Sequence, residues 1–258
     1  MSNYNILEKF LKIQENTLVS KLILLNFAKI IYNELDPSFY WNFALIDQPI
    51  DKNKINKIEK TLKFFDRKPA IYFENTNFFV PFIEVLEKDG YRLNSEDSWM
   101  FYEEEVPKGL NFNEIKRVES VEDLNVWLET LDKCYNDNDL QNPYGELGNY
   151  FDLAERAWKK NNSIGKFEYF IAFKELIPVA VATLTYEENL GYISNVGSIQ
   201  EVRGQGYGKL ITLFCVNEAK RLNIEQVCLA TEDGTYPNKF YKKIGFKTRF
   251  MARYYVKE

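Results

Sequence analysis

Leu7, Phe10, Leu11, Leu18, Leu22 and Leu25 recur mostly three or four residues apart, with lysine and glutamate between them. That spacing matches one face of an α-helix and predicts a helix over Asn5 to Glu34. The aromatic-rich run Phe39 to Ile46 predicts a strand. Asp51 to Phe65 reads as a helix with Ile55, Ile58, Leu62 and Phe65 on one face, and Ala70 to Glu74 as a short strand. A helix over Val80 to Lys88 is expected to close at Asp89-Gly90, where glycine supplies the left-handed cap. Ser98 to Glu103 reads as a strand. Val106-Pro107-Lys108-Gly109 then breaks the pattern and divides the chain into expected domains at 1–108 and 109–258.

The second part opens with a strand around Ile115 to Val118. Helices are predicted over Val121 to Tyr135 and Tyr144 to Lys160. Strands at Phe167 to Phe173 and Val179 to Tyr186 flank a tight connection at Leu176-Ile177-Pro178. Gly191 to Ile199 is a further strand. Tyr207 to Leu222 is a helix with Ile211, Cys215, Ala219 and Leu222 on one face. Gln226 to Ala230 is an apolar, central strand. Asn238 to Lys243 is a short helix, and Phe246 to Val256 ends the chain as strand. Phe82 to Tyr102 and Asn238 to Val256 share an order of helix, glycine-aromatic pair and aromatic strand. That repeat suggests one topology used twice.

Composition removes several chemistries. The 258 residues include no histidine, so no Ser-His-Asp triad, Cys-His pair or histidine-ligated zinc can form. The length allows one large domain or two of about 100–200 residues. The three cysteines, Cys134, Cys215 and Cys228, lack the spacing of a zinc site or a disulfide framework. They are expected as reduced thiols in a cytoplasmic protein. The net charge of -5 argues against nucleic acid as the partner and tilts toward a cationic one. No signal peptide is expected at the N-terminus, and no apolar run is long enough for a membrane span.

Glycine is unevenly placed. Only Gly90 precedes residue 109, whereas seven of the 12 glycines fall between 191 and 245. The densest stretch is Val202-Arg203-Gly204-Gln205-Gly206-Tyr207-Gly208-Lys209, between a predicted strand and a predicted helix. Backbone N–H groups gathered at a helix N-terminus make an anion site suited to a pyrophosphate. Two familiar phosphate loops are excluded. A dinucleotide fingerprint would need glycine at Lys209, and a P-loop would need glycine at Arg203 and Ser or Thr at Leu210.

These residues resemble the GNAT acyltransferase superfamily, whose cofactor loop reads Arg/Gln-x-x-Gly-x-Gly/Ala. Arg203, Gly206 and Gly208 match it. Asn238-Lys239-Phe240-Tyr241-Lys242-Lys243-Ile244-Gly245-Phe246 is similar to the family's second signature, a helical Tyr four residues before Gly-Phe. The resemblance spans about Asn113 to Glu258. It implies a mixed α/β fold, with a mostly antiparallel central sheet flanked by helices. It also implies acetyl transfer from acetyl-CoA to a primary amine of a small molecule or peptide, with no metal. Arg203, Gly204, Gln205, Gly206, Tyr207, Gly208 and Lys209 would hold the pyrophosphate. Val196, Ser198 and Ile199 would pair with the pantetheine arm, and Asn238 would join the cofactor contacts. Tyr241 takes the general-acid position.

The proton acceptor is open. The strand Gly191 to Ile199 has no carboxylate, which leaves Glu187, Glu188, Glu232, Asp233 or ordered water. The first half lacks the glycine loop, and Leu86 stands where the repeat would place the tyrosine. That half is either a degenerate GNAT-like domain or an unrelated α/β accessory domain. A silent CoA-binding module is the alternative to an enzyme.

Overall fold

The computed structural model describes residues 3–18, 20–137, 139, 141–161 and 165–258. In chain order the elements begin with α1 (Asn3–Thr17), β1 (Ser20–Leu25), β2 (Ala28–Asn33), β3 (Phe43–Leu45), α2 (Lys52–Phe64), β4 (Ala70–Glu74), α3 (Val80–Lys88) and β5 (Tyr91–Tyr102). They continue with β6 (Ile115–Arg117), α4 (Val121–Cys134), α5 (Tyr150–Asn161), β7 (Phe167–Lys174), β8 (Ile177–Glu187) and β9 (Leu190–Ser198). The last are α6 (Tyr207–Arg221), β10 (Gln226–Glu232), α7 (Tyr236–Lys243) and β11 (Phe246–Lys257). No helix among the described residues is long and apolar enough to cross a membrane.

The chain packs as two units that are not two consecutive stretches. The first comprises Met1–Trp99, Ala230–Asp233 and Thr248–Glu258, and the second Met100–Leu229 and Gly234–Lys247.

In the first unit the strand order is β1-β2-β3-β4-β11-β5. β3 and β4 are parallel, whereas β1–β2, β2–β3 and β4–β11 are antiparallel. α2 starts at Asp51, whose side chain accepts the Lys54 N–H at 3.0 Å. Its Ile55, Ile58 and Leu62 are fully buried in a core shared with Phe82 and Leu86 of α3. α3 ends as the sequence predicts, with Gly90 at φ 90. A second layer is aromatic: Phe10 of α1 meets Trp99 edge-on at 5.1 Å, and Tyr72 stacks on Tyr254 at 4.0 Å.

The long N-terminal helix is a correction. α1 stops at Thr17, and the rest of the expected helix is the β1–β2 hairpin, turning at Asn26-Phe27 with Leu25 paired to Ala28. Leu18, Leu22 and Leu25 do fit a helical face. The stretch nevertheless contains the apolar run Leu22-Ile23-Leu24-Leu25 and the pair Ile30-Ile31. β2 lies between β1 and β3, with Ile30 and Ile31 fully buried, and that burial overrides helical periodicity.

In the second unit the order is β10-β9-β8-β7-β6, antiparallel except for the parallel pair β9–β10. α4 begins with a capping box between Ser120 and Asp123. Its Trp127 stacks on Tyr169 of β7 at 3.7 Å. Ile211, Cys215 and Ala219 of α6 are buried against Ala180, Ala182 and Leu184 of β8 in one core.

Candidate functional site

The site is built around β9. Its parallel pairing with β10 runs from Leu190↔Gln226 to Tyr192↔Cys228. Against β8 its register then slips: Ser194 faces Thr183 and Gly197 faces Val181, so Asn195 and Val196 stand opposite Ala182 alone. Such a bulge takes backbone groups off the ladder, where an extended ligand can pair with them. Asn195 sustains it with φ 53. Its amide donates to Tyr150 Oη at 2.7 Å and to Thr183 Oγ1 at 2.9 Å.

Gly197 allows a close approach. A Cβ there would lie 2.6 Å from Cys134 Cβ, at the end of α4. Gly197→Ala is therefore expected to cost about 1–3 kcal/mol of stability. The measurement is a lower urea midpoint with unchanged slope; an unshifted midpoint would show that α4 yields freely.

After β9, one tight turn over Gln200–Val202 buries Val202. The chain passes Gly204 at φ 78 and Gly206 at φ 94, and Gly206 caps α6. The Leu210 N–H donates to Gly206 O at 2.9 Å. The N–H groups of Gly206, Tyr207, Gly208 and Lys209 therefore have no carbonyl one turn earlier in α6. A Cβ on Gly204 or Gly206 would meet no atom within 4 Å, so this positive helix end faces open space. Gly208 is tighter, with a Cβ there 3.6 Å from Phe240 and 3.9 Å from Ser198 Oγ. Lys209 is exposed on the first turn and Tyr207 is half-buried.

Three expected contacts are otherwise engaged. Arg203 ion-pairs with Asp139 at 2.6 Å and donates to Ser198 O at 3.3 Å. The guanidinium holds the Asp139 carboxyl below its ordinary range. Its charge thus braces the loop from within. Ile199 donates its N–H to Val179 O at 3.0 Å and accepts from Val202 N–H at 3.3 Å. Both its backbone groups are used. Ser198 O accepts from Arg203 and Val196 O from Tyr135 Oη at 3.5 Å, which leaves the N–H groups of Val196 and Ser198 for the expected pantetheine contacts. Gln205 accepts from Lys174 Nζ at 3.0 Å, bringing to the loop a cation that the sequence pattern does not reveal.

Tyr241 and Asn238 lie in α7. Asn238 is fully buried, its amide nitrogen 3.6 Å from Met100 Sδ. The Tyr241 ring packs edge-on against Phe240 and Phe246 at 5.1 and 5.6 Å. Burial, then Tyr144, Tyr192 and Cys215, push its phenol well above the ordinary range. Burial raises the Tyr135 phenol well above its ordinary range, and Tyr241, Cys134 and Tyr144 add to the shift. Tyr144, in a connection, and Tyr192, on β9, thus bear electrostatically on Tyr241. Their sequence positions carry no common spacing.

The profile of the Acetyltransferase (GNAT) family matches residues 125–246. Residues 125–246 form a GNAT-family acetyltransferase domain.

Solved structures agree over nearly the whole chain. A functionally unknown conserved protein from Staphylococcus epidermidis superposes with a TM-score of 0.69 at 16% identity, covering 95% of this chain and 96% of that one. A GCN5-related N-acetyltransferase from Kribbella flavida gives 0.64 at 16% identity, covering 96% and 94%. One from Sphaerobacter thermophilus gives 0.58 at 13% identity, covering 92% and 82%. At these identities the likeness is one of fold. No curated protein sequence matches this chain.

The acetyltransferase domain also narrows the carboxylates. Glu187 pairs with Lys166 at 3.1 Å, and Glu188 lies in the β8–β9 turn at φ 51. The nine residues of β9, about 30 Å of strand, separate that turn from the glycine loop. Glu232 and Asp233 stand at the opposite, C-terminal end of β10 and belong to the first unit.

Proposed function

We propose that this protein transfers an acetyl group from acetyl-CoA to a primary amine, by direct attack in a ternary complex. The observation that carries the reading is the open glycine loop capping α6, directly after the bulge of β9. Loop amides and Lys209 take the pyrophosphate, and the backbone at Val196 and Ser198 takes the pantetheine arm. An N–H there polarises the thioester carbonyl, and a donor of that kind is worth about 3–4 kcal/mol in the transition state.

Water or a carboxylate takes one proton from the ammonium, and the neutral amine nitrogen then attacks the carbonyl carbon, forming the C–N bond. The C–S bond then breaks with its electron pair on sulfur, and the proton on nitrogen leaves to solvent or a carboxylate. Tyr241 lies far above the roughly 8.5 of a thiol, so it stays protonated and acts by hydrogen-bonding the departing sulfur. Direct attack is supported by the cysteines. Burial pushes the Cys134 thiol up to about 12 and Cys215 higher still, so neither forms a nucleophilic thiolate at neutral pH. The net charge of -5 suits a cationic acceptor.

The test is thiol release from acetyl-CoA against polyamines, aminoglycosides, amino acids and peptides. Saturable release with at least one amine is expected. Acetyl-CoA binding without release for any amine would instead favour a silent CoA-binding module.

A further inference from the structure

In the second unit, β9 leaves its regular partners at one point. Pairing with β10 ends at Tyr192↔Cys228, and the register against β8 slips after Ser194, so Asn195 opens the irregular stretch. Asn195 has φ 53, a left-handed conformation that asparagine tolerates and glycine adopts freely. Glycine would therefore serve the backbone alone. What asparagine adds is a side-chain amide. Its nitrogen donates to Tyr150 Oη at 2.7 Å, in the first turn of α5, and to Thr183 Oγ1 at 2.9 Å, on β8. Tyr150 and Thr183 are both buried. One amide thus ties the bulge to a helix and to the neighbouring strand at once.

The next two residues are backed from the end of α4. Val196 O accepts from Tyr135 Oη at 3.5 Å, and a Cβ on Gly197 would lie 3.3 Å from the Tyr135 ring. A left-handed residue other than glycine inside a strand costs free energy and persists where its surroundings over-determine it. Here they do so directly before Val196, which has no β8 partner of its own, whereas Ser198 pairs with Ala180. A donor stabilises developing charge only when its place is fixed beforehand, to about 0.5 Å. A slip of the strand by one residue would turn Val196 to the opposite face.

We infer that Tyr150 and Thr183, acting through Asn195, are positioning residues for the Val196 N–H that polarises the thioester carbonyl. This assignment rests on the acetyl-transfer reading above and deepens it. Neither hydroxyl meets the cofactor in this role; each sets where the backbone amide stands. Losing one of them keeps the donor and displaces it. The effect therefore falls on the carbonyl and on kcat rather than on cofactor affinity. A role confined to stability would lower the unfolding midpoint and leave the carbonyl unchanged.

The test is the infrared band of acetyl-CoA isotope-labelled at the thioester carbonyl, free and bound to the full chain. CoA, which has no thioester, is the affinity control. A hydrogen bond lowers the stretching frequency of a carbonyl, so binding to the unaltered protein should lower the band. Tyr150→Phe and Thr183→Val should each return it at least halfway to the free value, with CoA affinity nearly unchanged. Asn195→Gly keeps the left-handed backbone and removes the amide, so it provides a third variant with the same expected result. With the amine that releases thiol fastest, kcat should fall at least about tenfold, below the roughly hundredfold of a one-ångström displacement. A band in the folded variants identical to that of the unaltered protein overturns the positioning role and leaves acetyl transfer standing. A parallel loss of CoA affinity shows general damage to the site and overturns the role as well. A band that depends on Tyr150 and Thr183, without thiol release for any amine, keeps the role and removes transfer. Acetyl-CoA bound with its band at the free value removes the polarising N–H. Absence of acetyl-CoA binding by the unaltered protein removes the acetyl-transfer reading, and this assignment falls with it.

Discussion

Gly206→Val is expected to lower acetyl-CoA affinity at least about a hundredfold, or some 2.7 kcal/mol. Gly206 caps α6 at φ 94, and a Cβ there would meet nothing within 4 Å. The substitution therefore does not jam the protein's own packing. It adds about 1–2 kcal/mol of left-handed backbone cost. It also places a branched side chain on the face where the first amides of α6 receive the pyrophosphate. The two effects separate experimentally. Thermal unfolding should show a modest loss of stability, and calorimetry with acetyl-CoA the large loss of affinity. Retained micromolar binding in a folded Gly206→Val protein would remove the loop from the cofactor site.

Tyr241→Phe should lower turnover at least about tenfold, the scale of one lost hydrogen bond to a charged sulfur. Affinity for acetyl-CoA should be nearly unchanged. The variant deletes one oxygen and keeps the ring packed between Phe240 and Phe246. An interaction made with the departing sulfur forms only as C–S cleaves, so its loss belongs in kcat rather than in binding. The direction of the pKa shift adds a second readout. A phenol held above the ordinary value stays protonated through about pH 10, so its ionisation should not depress turnover up to that pH. Turnover equal to the unaltered protein would take Tyr241 out of the mechanism.

The glycine loop was legible because its determinants are consecutive. Alternating glycines directly before an amphipathic run predict a helix start at Tyr207, where α6 begins. Ile55, Ile58 and Leu62 on α2, and Gly90 at the end of α3, are similarly local. The β1–β2 hairpin was not legible, because Leu18, Leu22 and Leu25 satisfy a helical period equally well. Pairing of β2 with β3 decides between them. Arg203 illustrates the same limit within a matched motif. Its position follows from the loop pattern, yet its charge goes to Asp139, which no spacing rule connects to it.

The absence of histidine, the glycine loop and the Tyr-x-x-x-Gly-Phe spacing are properties of the sequence alone, and the last two carry the resemblance to the GNAT family. Three features required the folded chain: the bulge at Asn195, the burial of Tyr241, and the Tyr72–Asp97 contact across 25 residues. A helix start or a cap depends on residues a few positions apart, so the sequence displays it directly. Strand neighbours and burial depend on which distant segments pack together, and that choice is made by the whole core at once.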